Sequence, residues 1–114
     1  MVVYPEYGLM PLKMLMTSRD QAEVFMEQVP DPHIGEWIPC NDYPPPAADP
    51  DPQATQRALS CMARDNRLYV VANIAELQRC DRAADSSCPG DARYQYNTNV
   101  AYDPSGRLVC MCLI

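Results

Sequence analysis

The chain has 114 residues and a formal net charge of -6, with Lys13 as its single lysine. An acidic chain without a basic cluster lacks the electrostatic footprint of a nucleic-acid or anionic-membrane binder. Its apolar fraction of 47% is not that of a disordered chain, and 12 prolines against four glycines point to regular structure joined by stiff loops.

Val2-Val3-Tyr4 is a short β-branched and aromatic run halted by Pro5, which reads as a buried strand ending at a loop. Glu6-Tyr7-Gly8 follows at the end of that strand where open α/β sheets place their chemistry. Thr17-Ser18-Arg19-Asp20 is a helix-start signal, and the pattern predicts a helix to about Gln28. Over positions 29–52 the prolines exclude a long helix or a central strand. Asp49-Pro50-Asp51-Pro52 within that loop reads as a rigid, acidic surface excursion. Trp37 is expected to anchor the loop, since a large aromatic gains by burial.

Gln53 to Asn66 carries helical spacing, with Ala54, Ala58, Leu59 and Met62 on one side. Leu68 to Ile74 is a near-continuous apolar run that predicts a strand buried on both faces. Tyr94 to Tyr102 alternates tyrosine, threonine and valine with Gln95, Asn97, Asn99 and Ala101, the period of a strand with two different faces. Asp103-Pro104-Ser105-Gly106 is a turn signal, and Arg107 to Cys112 then pairs back as a hairpin. The order predicts an α/β fold with a parallel crossover followed by an antiparallel edge.

Six cysteines, at 40, 61, 80, 88, 110 and 112, suit a disulfide-bearing extracellular protein and allow 15 connectivities. The short polar span between Cys80 and Cys88 favours a local bridge. Met1 to Met16 has neither the basic start nor the unbroken apolar core of a signal peptide, and no run approaches the ~20 apolar residues of a membrane span.

Among residues able to carry chemistry, Glu6 is the first candidate, a carboxylate beyond a strand end that would serve as a general base. Cys110 and Cys112, at i and i+2 on a strand, point to one face, yet a structural metal needs four ligands. His33, the single histidine, sits among prolines with no pairing pattern. The residues therefore imply no metal and no cofactor.

Three stretches together resemble the vanin/biotinidase branch of the carbon–nitrogen hydrolase (nitrilase) superfamily. Val2 to Leu9 resembles the strand and loop bearing that family's catalytic glutamate. Arg57 to Ala63, running on to Tyr69 to Ile74, is similar to its next helix and strand. Cys88 to Val100, continued by Asp103 to Val109, resembles its hairpin entry, and Trp37-Ile38-Pro39-Cys40 matches a shorter stretch. The resemblance implies positions 1–114 as part of one α-β-β-α sandwich domain, extracellular or membrane-anchored, acting on small-molecule amides such as pantetheine or biotin conjugates.

It also implies a Glu–Lys–Cys triad, of which Glu6 alone maps onto this chain. After Val109 the family continues into an Arg-Tyr-x-Lys stretch that supplies the lysine, whereas this chain reads Cys110-Met111-Cys112-Leu113-Ile114. Lys13 follows the glutamate loop directly and is no substitute, and Cys110 and Cys112 are outside the nucleophile's context. The expectation is an amidohydrolase by descent that is inactive as this chain alone and lacks part of its domain, to be completed by the missing half or by a second copy. The alternative is a non-catalytic, secreted, disulfide-bearing binding module working through its acidic proline loop.

Overall fold

The computed structural model describes residues 1–6, 8–9, 18–42 and 51–113. Among them four strands form one sheet, in the order β1 (Val2–Val3), β2 (Val70–Arg79), β3 (Arg93–Tyr102) and β4 (Leu108–Leu113). β1 runs parallel to β2, with Val2 opposite Val70, while β2–β3 and β3–β4 are antiparallel. A parallel pair at one side and a hairpin at the other is the arrangement that the sequence order predicts.

The helices are α1 (Arg19–Ala22) and α2 (Ala54–Asn66). α2 buries Gln56, Leu59, Ser60 and Ala63, the i, i+3, i+4, i+7 stripe of an amphipathic helix. Leu59 and Ala63 pack with Val70, Ala72, Ile74, Val100, Tyr102 and Leu108 on the facing side of the sheet. α2 stops where Arg67 turns left-handed at φ 52°, and the N–H groups of Arg67 and Leu68 return to the carbonyls of Arg64 and Ala63.

The helix expected to reach Gln28 ends sooner. Ser18 and Gln21 form a capping box, α1 lasts one turn, and a 3-10 turn spans Glu23–Phe25. The chain then extends along β2. The Glu27 N–H donates to the Ala75 carbonyl at 3.0 Å, and the Leu77 N–H donates to the Glu27 carbonyl at 2.9 Å. Edge pairing with β2 overrides local helix propensity here, as tertiary contacts commonly do.

β2 outlasts its apolar run by five residues, reaching Arg79 rather than Ile74. The continuation includes Glu76, fully buried, whose carboxylate accepts from the Thr98 hydroxyl at 2.7 Å and from the Gln78 side-chain amide. Beyond it, Arg93 pairs with Asp20, Glu23 and Asp91, and Arg19 grips Asp91 at 2.7 and 3.0 Å. These ion pairs fasten α1 to the far end of the β2–β3 hairpin.

The proline-rich segment is tied to the body at several points. Trp37 is half-buried against the core, and its carbonyl accepts from the Leu108 N–H at 3.0 Å. Ser60 sits at a junction: its hydroxyl donates to the Gly106 carbonyl at 2.6 Å and accepts from the Cys40 N–H at 3.0 Å. Gly106 has φ +85°, and a Cβ there would come within 2.8 Å of the Ser60 carbonyl and hydroxyl oxygens, so the turn requires glycine. Cys40 is bridged to Cys61, and Cys80 to Cys88 as the short span predicts.

The acidic excursion Asp49-Pro50 lies outside the described residues. Its described acid, Asp51, is not offered outward: it pairs with Arg57 at 2.8 Å, and that hydrogen bond holds its carboxyl below the usual range.

Candidate active site

β1 is short, and only Val2 and Tyr4 turn toward the core; Val3 is 59% exposed. Among the described residues β1 pairs on one side alone, with β2, so the strand expected to be buried is half-exposed there. The Tyr4 N–H donates to the Val71 carbonyl at 2.8 Å, and the Gly8 N–H donates to the Pro5 carbonyl at 2.8 Å. That second bond closes a turn directly after the strand. A Cβ on Gly8 would lie 2.9 Å from the Pro5 ring and carbonyl, so the closure needs glycine.

Glu6 projects from this turn at the C-terminal end of β1. It is exposed, and its carboxylate is nonetheless tied to the sheet: the Asn97 side-chain amide donates to Oε1 at 2.7 Å. Asn97 lies on β3 opposite Ala75 of β2, and Asn73 lies opposite Asn99. From its buried position Asn73 donates to the side-chain oxygens of both Asn97 and Asn99, the latter at 3.1 Å. The sheet face turned away from α2 thus carries an amide array that ends on the Glu6 carboxylate.

Of the remaining sequence candidates, Cys112 borders this array, its strand position facing Asn99. His33 is exposed, with its ring nitrogen 3.0 Å from Asp31. Cys110 and Cys112 are exposed on β4, opposite Ala101 and Asn99. Among the described residues no group of three metal-ligating side chains occurs, and no helix is long and apolar enough to cross a membrane. Lys13 and Tyr7 lie outside the described residues.

The crystal structure of N-terminal amidase with Asn-Glu peptide superposes with a TM-score of 0.55 over 97% of this chain and 18% of that one, at 11% identity. A second crystal structure of N-terminal amidase superposes equally well. The architecture is therefore a portion of the nitrilase-type α-β-β-α fold. No family model matches the sequence.

Curated proteins do match. Pantetheinase of Sus scrofa is 44% identical over 108 residues, which is 95% of this chain and 19% of the relative. Pantetheinase of Homo sapiens is 45% identical over 92 residues, and biotinidase of Takifugu rubripes 45% identical over 109, covering 17% and 20% of those proteins. Over 95% of its length the chain is similar to the Sus scrofa pantetheinase and this biotinidase, as the sequence motifs imply, and it spans about a fifth of the length of the relatives it matches.

Proposed function

We propose that this segment supplies the glutamate of an amidohydrolase that cleaves linear amides of pantetheine or biotin type through an acyl-enzyme. The observation that carries the reading is Glu6 at the end of β1, its carboxylate fixed 2.7 Å from Asn97 on the neighbouring hairpin. An amide is a poor electrophile, so a nucleophile, a proton shuttle and positive charge at the forming oxyanion must converge. Here Glu6 takes the proton from a cysteine thiol, and the thiolate attacks the amide carbonyl. The protonated Glu6 then gives that proton to the departing amine. In the second half it accepts a proton from the water that attacks the thioester, the C–S bond breaks to release the carboxylic acid, and Glu6 returns the proton to the departing cysteine thiolate.

The thiol and the lysine belong to sequence beyond the matched segment. The chain by itself is accordingly expected to be inactive, and its sheet to need the other half of the sandwich or a second copy. Two disulfides go with an extracellular or membrane-anchored site of action.

The test uses two proteins. The 114-residue chain is assayed for release of amine from pantetheine and from a biotin amide, with no turnover expected. The chain continued after Val109 into the downstream part of Sus scrofa pantetheinase is expected to turn over one of the two, and Glu6→Gln to lower its kcat/KM by about 10³-fold. Full activity in that variant would remove Glu6 from the chemistry.

A further inference from the structure

We infer that Asn97 is the positioning residue for the Glu6 carboxylate and that buried Asn73 fixes the direction in which Asn97 points. The inference rests on Glu6 being the proton shuttle. Glu6 is exposed and carries a flexible side chain, so an untethered carboxylate would sample several rotamers. Proton transfer needs it at one place, within hydrogen-bond reach of the reacting groups.

The polarity of the array is set from its end. A carboxylate only accepts hydrogen bonds, so Asn97 must turn its NH2 group toward Glu6 Oε1, at 2.7 Å. Its carbonyl oxygen then faces β2, where Asn73 donates to it. Asn73 donates in turn to Asn99 at 3.1 Å, so both hydrogens of its amide point across the hairpin. Asn73 is fully buried, which locks its own orientation, and it passes that lock to Asn97.

Ala75, directly opposite Asn97, lets the amide of Asn73 reach it diagonally. A neutral amide also orients the carboxylate without placing a formal positive charge beside a group that must pick up a proton. One oxygen held by the sheet leaves the other to exchange protons.

On the chain continued into the pantetheinase sequence and isotope-labelled at asparagine, the Asn97 side-chain amide resonances are expected to move in Glu6→Ala and in Asn73→Ala. No movement in Glu6→Ala would overturn the tether. On the chain continued into the pantetheinase sequence, Asn97→Ala is expected to lose about 10- to 100-fold in kcat/KM with KM nearly unchanged. Asn97→Asp is expected to lose more at neutral pH, where two carboxylates face each other, and to regain activity relative to the parent as the pH falls and the introduced carboxyl becomes a donor. A merely structural asparagine would give no such pH-dependent recovery. Full activity in Asn97→Ala beside an inactive Glu6→Gln would overturn the positioning role alone. Full activity in Glu6→Gln would overturn the function beneath it.

Discussion

The Glu27 carboxylate lies against Gln56, 29 residues later in the chain: its Oε1 accepts the Gln56 backbone N–H at 3.1 Å and side-chain amide at 3.0 Å. Its Oε2 accepts the Thr55 N–H at 2.8 Å. A strand-edge residue thus caps the first turn of α2, where orphan N–H groups and the positive end of the helix dipole favour an anion. Replacement Glu27→Ala is expected to cost about 2 kcal/mol and Glu27→Gln about 1 kcal/mol, read from urea unfolding midpoints.

At the other end of α2 the left-handed residue is Arg67, at φ 52°, where glycine is usual. Arg67→Gly relieves the clash between Cβ and the following carbonyl. It is expected to raise stability by about 1 kcal/mol, seen as a higher melting temperature.

Tyr102 is fully buried, and among the described residues its hydroxyl has no hydrogen-bond partner. Burial, with the Glu27 charge nearby, pushes that hydroxyl well above the usual tyrosine range. Removing an unpaired buried hydroxyl removes its desolvation penalty. Tyr102→Phe is expected to stabilise by about 1 kcal/mol, whereas Tyr102→Ala, which empties the core site, costs about 4 kcal/mol in the same denaturation series.

Arg19 holds the Asp91 carboxyl at about 2, principally through its side-chain hydrogen bond. An unfolded aspartate titrates near ~3.9. Because the folded value is the lower, the contribution is present in full above about pH 4 and fades as the pH falls toward 2, where both states are protonated. The melting-temperature gap between the parent and Asp91→Asn is expected to be constant from neutral pH down to about pH 4 and to close below it. A gap that persists unchanged at the lowest pH would contradict the pairing.

Much of this architecture is legible in the residues. The helix from Ala54 and the alternation from Tyr94 to Tyr102 follow from helix and strand periods, but the helix buries Gln56, Leu59, Ser60 and Ala63 rather than the expected side of Ala54, Ala58, Leu59 and Met62, because Gln56 and Ser60 find polar partners in Glu27, Cys40 and Gly106. The Asp103 to Gly106 signal folds as the turn it predicts, with the Gly106 N–H on the Asp103 carbonyl at 2.8 Å. What stays hidden depends on distant partners. Glu76 looks like a strand terminator until Thr98 and Gln78 receive its carboxylate, and Met26–Gln28 looks helical until β2 offers an edge. Glu6 stands out through its place after a strand and its family context. Asn73, Asn97 and Asn99 give no such signal, because alternating amides resemble any solvent-facing side of a sheet.

The hydroxyl of Ser60 touches the backbone of Cys40 while the next residue, Cys61, holds the partner sulfur. Six thiols offer many wrong unions, and a non-covalent handshake beside one of them acts as an address label. With α2 wound, that contact holds Cys40 beside its mate whether or not the two sulfurs are joined, so erasing the single hydroxyl loosens the address, and a larger share of mispaired isomers is expected after oxidative refolding.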